Sequence, residues 1–217
     1  MKIALIGASG FVGSALLKEA LQRGHQVTAI VRHPEKIKEK NPNLTLKKGD
    51  AFNKEEIKEL VKGHDVVVSA YNPGWTNPAI YEEFIKASET LQAATKESGV
   101  KRFIVIGGAG SLEIAPGVQL IDTPQFPAEY KAGASAARDY LNTIRKEDQL
   151  DWTFYSPAIE MHPGITTGRT GKYRLGNDNP VFDKDNRSYH SAEDLSVVVI
   201  DEVENKKFLK KRFTAAY

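Results

Sequence analysis

Apolar and polar positions alternate in blocks along the chain, and the blocks predict strands and helices that follow one another in turn. Aliphatic runs predict strands at 2–6, 26–31, 44–50, 64–70, 102–106 and 151–155. Apolar residues at helical spacing predict helices at 14–21, 54–63, 80–98 and 128–147. The continuous apolar run Val66–Val68 is typical of a strand buried on both faces of a parallel sheet. The pattern therefore predicts an α/β fold, a doubly wound parallel sheet with helices on both faces.

The last third of the chain has a different pattern. Short strands are predicted at 171–175, 180–182 and 187–190, separated by Asn and Asp turns, as a small C-terminal antiparallel addition. Ser191, followed three residues later by Asp194, predicts a capped helix that runs through Val203, and 212–217 predicts a closing strand. Because no Pro-, Gly- or Ser-rich linker divides the chain, we predict one domain over 1–217, in which residues 157–217 add the small substrate-side portion.

Composition excludes several classes of chemistry and partner. The 30 basic and 28 acidic residues give a net charge of +2 without a basic stripe, so nucleic acid is not predicted as a partner. The chain has no cysteine, which removes disulfides, thiolate nucleophiles and iron–sulfur ligation. The five histidines lack metal-ligand spacing, so no metal is predicted. No signal-peptide pattern and no bilayer-length apolar run is present, which predicts a cytoplasmic protein without membrane contact.

A glycine-rich segment, residues 7–13, lies between the first predicted strand and the first predicted helix. In such a turn the first glycine allows a tight bend, the second lets the backbone approach a pyrophosphate, and the third allows close contact between helix and strand. The amides at the helix N-terminus then face the phosphate charge. We therefore predict a dinucleotide site of the Rossmann type, with binding contacts from this loop at Gly7, Ser9, Gly10, Phe11, Val12 and Gly13.

The residue after the second strand predicts which dinucleotide is bound. NAD sites usually present an acidic side chain there, whereas the 2′-phosphate of NADP needs a cation. This chain has Arg32, and no acidic residue occurs before Glu35. A guanidinium can hold a phosphate through paired charge-assisted hydrogen bonds, and His33 adds a further donor. NADP(H) is therefore favoured over NAD(H), the alternative being a surface arginine that holds no ligand.

With these motifs the chain resembles the atypical short-chain dehydrogenases/reductases, in particular the NAD(P)-binding group named for NADH-flavin reductases, with NmrA-like and biliverdin-reductase-B-like relatives. The resemblance runs nearly end to end and is carried by 7–13, Val31–Arg32, Gly49–Ala51, Ile106–Ser111, Tyr155–Ala158, Gly168–Leu175 and Ser191–Leu195.

The resemblance also implies a place for each part of the dinucleotide. It places Asp50 and Ala51 beside the adenine, and Ala70 and Tyr71 near the ribose. The segment behind the nicotinamide would be Gly107, Gly108 and Ala109, and the residues that flank its amide would be Pro157 and Ala158.

A catalytic acid of the conventional kind is missing. Conventional short-chain dehydrogenases place a lysine four residues after a tyrosine, so that both lie on one helix face. No tyrosine of this chain has a lysine at that spacing. Tyr130 and Lys131 are adjacent, and adjacent helical side chains diverge by about 100°. The catalytic residue is therefore left unassigned, with Tyr130, Lys131 and His162 as candidates.

The missing acid decides between reaction types. Carbonyl reduction and sugar epimerisation need a positioned proton donor or acceptor, whereas a reduced flavin or quinone takes its proton from water. We therefore predict an NADPH-dependent reductase with a flavin, quinone or similar small planar acceptor, a flavin being a substrate and not a bound cofactor. Tyr71, Asn72 and Trp75, in the loop after the fourth strand, are the predicted acceptor contacts.

Two other functions and the oligomeric state stay open at this point. An NmrA-like relative can bind NADP(H) without turnover and act as a redox-sensing regulatory module. A sugar-nucleotide epimerase or dehydratase usually has a larger C-terminal lobe than the residues beyond Pro157 provide. The chain is expected to be a monomer or a homodimer.

Overall fold

The computed structural model describes residues 1–217. The strands are β1 (Lys2–Ile6), β2 (Gln26–Val31), β3 (Leu44–Lys48), β4 (Val66–Ser69), β5 (Arg102–Ile106), β6 (Glu113–Ala115), β7 (Val118–Gln119), β8 (Asp151–Ser156), β9 (Arg174–Gly176) and β10 (Lys211–Ala216). The α-helices are α1 (Phe11–Gln22), α2 (Lys54–Val61), α3 (Ile80–Glu97), α4 (Ala128–Ile144) and α5 (Ala192–Asn205).

Eight strands form one sheet in the order β3-β2-β1-β4-β5-β8-β10-β9. All neighbouring pairs are parallel except β10 and β9, which are antiparallel. From β1 the chain adds β2 and β3 on one side and then crosses to β4 on the other side, so the strand order reverses between β1 and β4. The predicted Rossmann-type parallel fold is confirmed, and the reversal marks where such sheets bind their ligands.

Helices cover both faces of the sheet, as predicted. One core forms beneath α1 and α5, and the other beneath α2, α3 and α4. The valine run in β4 shows why both faces are apolar: Val66 and Val68 belong to the first core, and Val67 belongs to the second. Successive side chains of a strand point to opposite faces, so a strand between two helical layers needs apolar residues at every position.

The C-terminal addition is smaller than predicted. Only β9 forms from the three short strands expected there, so the strands predicted at 180–182 and 187–190 are wrong. The carbonyl of Phe182 accepts a hydrogen bond from the Arg174 guanidinium at 2.7 Å, and Tyr189 forms an isolated bridge with Glu160. Side-chain contacts and one bridge thus replace the expected strand pairing. The sequence pattern also missed the β6–β7 hairpin, whose strands of three and two residues are too short to show periodicity.

The start of α5 has the helix cap that the sequence predicts and, in addition, a set of hydrogen bonds to Asp194 that it does not predict. Ser191 Oγ accepts a hydrogen bond from the backbone N–H of Asp194 at 3.0 Å, as the sequence indicates. The Asp194 carboxylate accepts hydrogen bonds from the hydroxyl and N–H groups of Thr170, from the Tyr217 hydroxyl and from the N–H of Gly171. Burial alone would raise the pKa of Asp194, but these hydrogen bonds hold it below its ordinary value. Asp194 therefore fixes the segment around residue 170 to α5.

Candidate functional site

The loops that carry the predicted cofactor residues lie in a row along one edge of the sheet. Arg32, Gly7, Ala70, Gly107 and Pro157 follow β2, β1, β4, β5 and β8, which are neighbours in that order. Parallel strands present their carboxyl ends at one edge, which is called the carboxyl edge below. Four strand spacings of about 4.8 Å make the row about 19 Å long. The fold thus brings together loops that are up to 150 residues apart in the chain, from Gly7 to Pro157.

The glycine loop leaves no room for side chains at two of its positions. Gly7 has φ +81°, and a Cβ added there would lie 2.6 Å from the carbonyl oxygen of Ala70. A Cβ on Gly13 would lie 2.0 Å from the carbonyl oxygen of Gly7. At Gly10 the nearest atom to an added Cβ is 3.3 Å away, and the residue is exposed. Gly13 therefore lets α1 start against the end of β1, Gly7 lets the loop pass close to the end of β4, and Gly10 keeps the outer side of the loop open.

The first turn of α1 presents hydrogen-bond donors that the chain does not use. The backbone N–H groups of Phe11, Val12 and Gly13 have no backbone acceptor, and Gly10 provides no side-chain cap. The first turn also contains no acidic residue. Unpaired amides at a helix N-terminus attract anions, and here the helix dipole adds to them. The loop fits the pyrophosphate of a dinucleotide.

A cation lies at the end of β2. Arg32 is exposed, and the ion pair in its loop joins His33 Nδ1 to Glu35 Oε1 at 3.2 Å, leaving the guanidinium without a carboxylate partner. Arg32 is close enough to Tyr71 to affect its hydroxyl: burial raises the Tyr71 pKa to about 12, the charge of Glu83 adds to this, and Arg32 opposes it. Arg32 is thus free to meet a phosphate, whereas His33 is engaged by Glu35.

The loop after β3 divides its two predicted residues between the surface and the core. Asp50 is exposed, and its carboxylate accepts a hydrogen bond from the N–H of Phe52 at 3.0 Å. Ala51 is buried and packs in the core with Ile57. The Phe52 ring also meets the Tyr71 ring edge to face, with centroids 6.1 Å apart. Asp50 can therefore contact a ligand, while Ala51 supports the loop.

The three predicted acceptor residues after β4 do different things. Tyr71 packs against Phe52, and Asn72 Oδ1 accepts a hydrogen bond from Gly74 N at 2.8 Å, which shapes the turn. Trp75 lies instead against Tyr130, edge to face, with ring centroids 5.3 Å apart. Trp75 is 54% exposed and Tyr130 is 45% exposed. Trp75 and Tyr130 therefore form an exposed pair of rings, the aromatic corner, and Tyr71 is not part of it.

The segment predicted to lie behind the nicotinamide rests on α4. A Cβ added at Gly108 would lie 3.2 Å from the Cβ of Ala137, and one added at Gly110 would lie 3.0 Å from the Cβ of Ala134. Small residues on both sides thus hold the loop after β5 against the middle of α4.

The candidates for proton transfer are not assembled into a catalytic group. His162 is exposed, and its Nδ1 accepts a hydrogen bond from Gly164 N at 3.1 Å. Tyr130 and Lys131 lie in the first turn of α4, both exposed. Pro157 and Ala158 are buried at the end of β8 and bring no acidic or basic group. No catalytic acid or base is assigned.

Sequence reasoning missed three buried polar side chains near the carboxyl end of β8 and the start of α5. Tyr155 Oη, Ser156 Oγ and both ring nitrogens of His190 are buried without hydrogen-bond partners. The His190 ring meets the Tyr217 ring edge to face at 4.9 Å. Burial lowers the pKa of His190 to about 4, against the opposing charge of Asp194. Nothing in the local sequence signals this, because the burial comes from tertiary packing.

Residues 7–206 match the NAD(P)H-binding family in a comparison with known protein families. This match agrees with the glycine loop, the unpaired amides and the row of strand ends. The chain belongs to this family. A structure from Bacteroides thetaiotaomicron, described as a candidate epimerase, is 50% identical with a TM-score of 0.92, and the match covers 100% of this chain and 96% of that chain.

Two further solved structures are similar to this chain over nearly their whole length. A candidate NADH-flavin reductase from Streptococcus pneumoniae is 35% identical with a TM-score of 0.86, over 100% of this chain and 99% of that chain. A candidate exported protein from Burkholderia pseudomallei is 42% identical with a TM-score of 0.88, over 100% of both chains. Because one relative is described as exported, a cytoplasmic location stays a prediction.

No helix combines the length and the apolar content that a bilayer crossing requires. No group of three or more His, Asp or Glu side chains is placed to hold a metal ion.

His190 makes the protein less stable in mild acid. The unfolded state takes up the imidazole proton near pH 6.5, whereas the folded state takes it up only near pH 4. Between these values the unfolded state binds more protons, so the free energy of unfolding falls as the pH falls. From pH 7 to pH 5, His190→Leu should lose about 2 kcal/mol less stability than the wild type in urea unfolding. His162→Gln is the control and should follow the wild type; an equal loss in His190→Leu would contradict the assignment.

Proposed function

We propose that the protein is an NADPH-dependent reductase that uses a flavin, a quinone or a similar planar molecule as its hydride acceptor. One observation carries this proposal. At the end of β4 and the start of α4, the carboxyl edge presents an exposed aromatic corner, Trp75 with Tyr130, and no assembled proton donor. Such a site suits an acceptor that needs to be positioned and does not need a protein acid.

The dinucleotide would be held by groups at four places along the carboxyl edge. The amides of Phe11, Val12 and Gly13 take the pyrophosphate, and Arg32 takes the 2′-phosphate of NADPH. Asp50 lies on the adenine side. The segment from Gly107 to Ala109 backs the nicotinamide end.

The residues along the carboxyl edge provide no proton donor for the acceptor, and this determines the proposed chemistry. Bound NADPH supplies a hydride, which is two electrons and one proton, and the acceptor takes its second proton from water. Tyr71 does not supply that proton readily, because burial raises its pKa to about 12. The protein's contribution is then to orient the acceptor plane and to hold the dinucleotide in place.

The relatives support two different reactions. The Streptococcus pneumoniae relative is described as a candidate NADH-flavin reductase, which agrees with the acceptor class proposed here. The Bacteroides thetaiotaomicron relative is described as a candidate epimerase, which makes epimerisation the second candidate. Epimerisation needs an acid and a base near the sugar, and the carboxyl edge has no such pair. The reductase therefore fits these residues better.

Removing the Arg32 charge should lower the affinity for NADPH alone. Arg32→Ala should weaken NADPH binding tenfold or more, by about 1.5 to 3 kcal/mol, because a charge-assisted phosphate contact is lost. NADH binding should stay unchanged, since NADH lacks the 2′-phosphate. Isothermal titration calorimetry with both dinucleotides measures the difference. Lys36→Ala, a neighbouring exposed cation, is the control. Equal effects of Arg32→Ala on both dinucleotides would contradict the NADPH assignment.

Turnover tests the reaction itself. Stopped-flow absorbance at 340 nm should show fast NADPH oxidation on addition of FMN, riboflavin or menadione, compared with the same mixture without protein. Tyr130→Phe should keep this rate, because no phenolic acid is needed. Tight NADPH binding without turnover of any acceptor would favour a non-catalytic sensor of NADP(H).

A further inference from the structure

We propose that Trp75 and Tyr130 form the stacking surface for the ring system of the acceptor, and that Gly133 is the residue that positions this surface. This inference rests on the proposed reductase function. It assigns a stacking role to Tyr130, which is otherwise a candidate acid, and it gives a role in the acceptor site to a glycine inside a helix.

The side chains of Trp75 and Tyr130 are exposed to solvent. Trp75 and Tyr130 touch each other, and about half of each side chain still faces solvent. Their ring planes meet at 85°, so the two rings form an open corner. The ring systems of flavins and quinones are flat and electron-poor, and the indole face is electron-rich. Stacking on such a face requires no particular hydrogen-bond pattern, which suits a range of acceptors.

The aromatic corner and the loop after β5 contact neighbouring parts of α4. Trp75 lies over Gly133, and the loop after β5 lies over Ala134 and Ala137 through Gly110 and Gly108. Four residues of helix rise about 6 Å, so the contact at Gly133 is about one turn from the contact at Ala137. The aromatic corner is thus next to the segment that backs the nicotinamide end in the proposed site.

Trp75 fits closely over Gly133. A Cβ at residue 133 would lie 2.8 Å from Cζ3 of Trp75 and 2.8 Å from Cδ1 of Ile80. Inside a helix, glycine is less favourable than alanine. Here the missing side chain has a specific use, because an alanine would push the indole away from the helix. Gly133 is therefore a positioning residue for Trp75.

Tyr71 does not belong to this surface. Its ring packs against Phe52, beside Arg32 and Asp50, on the adenine side of the carboxyl edge. Only one of the two aromatic residues in the loop after β4 is thus placed for the acceptor.

Tryptophan fluorescence tests the proposal without relying on turnover. The chain has two tryptophans, and Trp152 is buried at 3% exposure, so Trp152→Phe leaves Trp75 as the only source of tryptophan emission. Titration of this variant with FMN or menadione, in the presence of unreactive NADP⁺, should give saturable quenching. Trp75→Leu, which keeps only Trp152, should show no saturable quenching. If Trp152→Phe does not fold, the difference between wild type and Trp75→Leu gives the same signal.

Three variants separate the roles of Tyr130 and Gly133. Tyr130→Leu should raise the acceptor Kd about tenfold, since stacking on an aromatic ring contributes on the order of a tenfold effect or more. Tyr130→Phe keeps the ring and should leave the Kd unchanged. Gly133→Ala should raise the acceptor Kd several-fold and shift the Trp75 emission maximum, while the NADP⁺ Kd stays as in the wild type. Thermal unfolding checks that each variant is folded.

The outcomes for this surface and for the reductase function are distinct. Turnover without quenching of Trp75, or quenching that Tyr130→Leu does not weaken, would overturn the stacking surface and leave the reductase function standing. Saturable quenching without turnover would support the surface and overturn the reductase function. Neither quenching nor turnover would overturn both.

Discussion

The contact between Gly13 and Gly7 is the constraint on which the candidate site depends. A Cβ at Gly13 would lie 2.0 Å from the carbonyl oxygen of Gly7, so α1 can start beside β1 only with glycine at this position. The first-turn amides of a helix have no acceptor within the helix, and Gly10 adds no side-chain cap, so the amides of Phe11, Val12 and Gly13 are unpaired. Because unpaired amides and the helix dipole both favour an anion, the packing of α1 against β1 places a candidate phosphate site at the carboxyl edge.

The strand order extends that site into a row. Since the order reverses between β1 and β4, the helices that follow these strands lie on opposite faces and leave a crevice at their carboxyl ends. Arg32 lies on one side of the crevice, and the aromatic corner of Trp75 and Tyr130 lies on the other. Arg32 and the aromatic corner are thus separated by the width of the central strands.

The sequence predicted the parts of the fold that depend on local pattern. The valine run in β4 and the glycine loop could be interpreted directly, because burial on two faces and close helix–strand contact each require particular residue types in order. The short strands near the C-terminus could not be predicted reliably. At 180–182 a hydrogen bond from Arg174 to the carbonyl of Phe182 accompanies an irregular segment, and this long-range contact leaves no periodic trace.

For the candidate site, the sequence predicted which loops lie at the carboxyl edge, but it did not predict which neighbours their side chains contact. Tyr71 and Trp75 belong to one loop, but Tyr71 packs towards Phe52 and Trp75 packs towards Tyr130. Trp75 also lies against Gly133, which is 58 residues further along the chain. His190 shows the same limit, since its burial without partners comes from segments that are distant in sequence.

A titration of the ¹⁵N-labelled protein with NADP⁺, followed by amide NMR, tests most directly whether the strand ends along the carboxyl edge form one dinucleotide site. Saturable shifts are predicted for the amides of Phe11, Val12 and Gly13 and for those of Gly107, Gly108 and Ala109, all with the same Kd. Gln26 and Asn43, at the opposite edge of the sheet, should not shift. Shifts confined to that opposite edge, or none at Phe11–Gly13, would contradict the site described here.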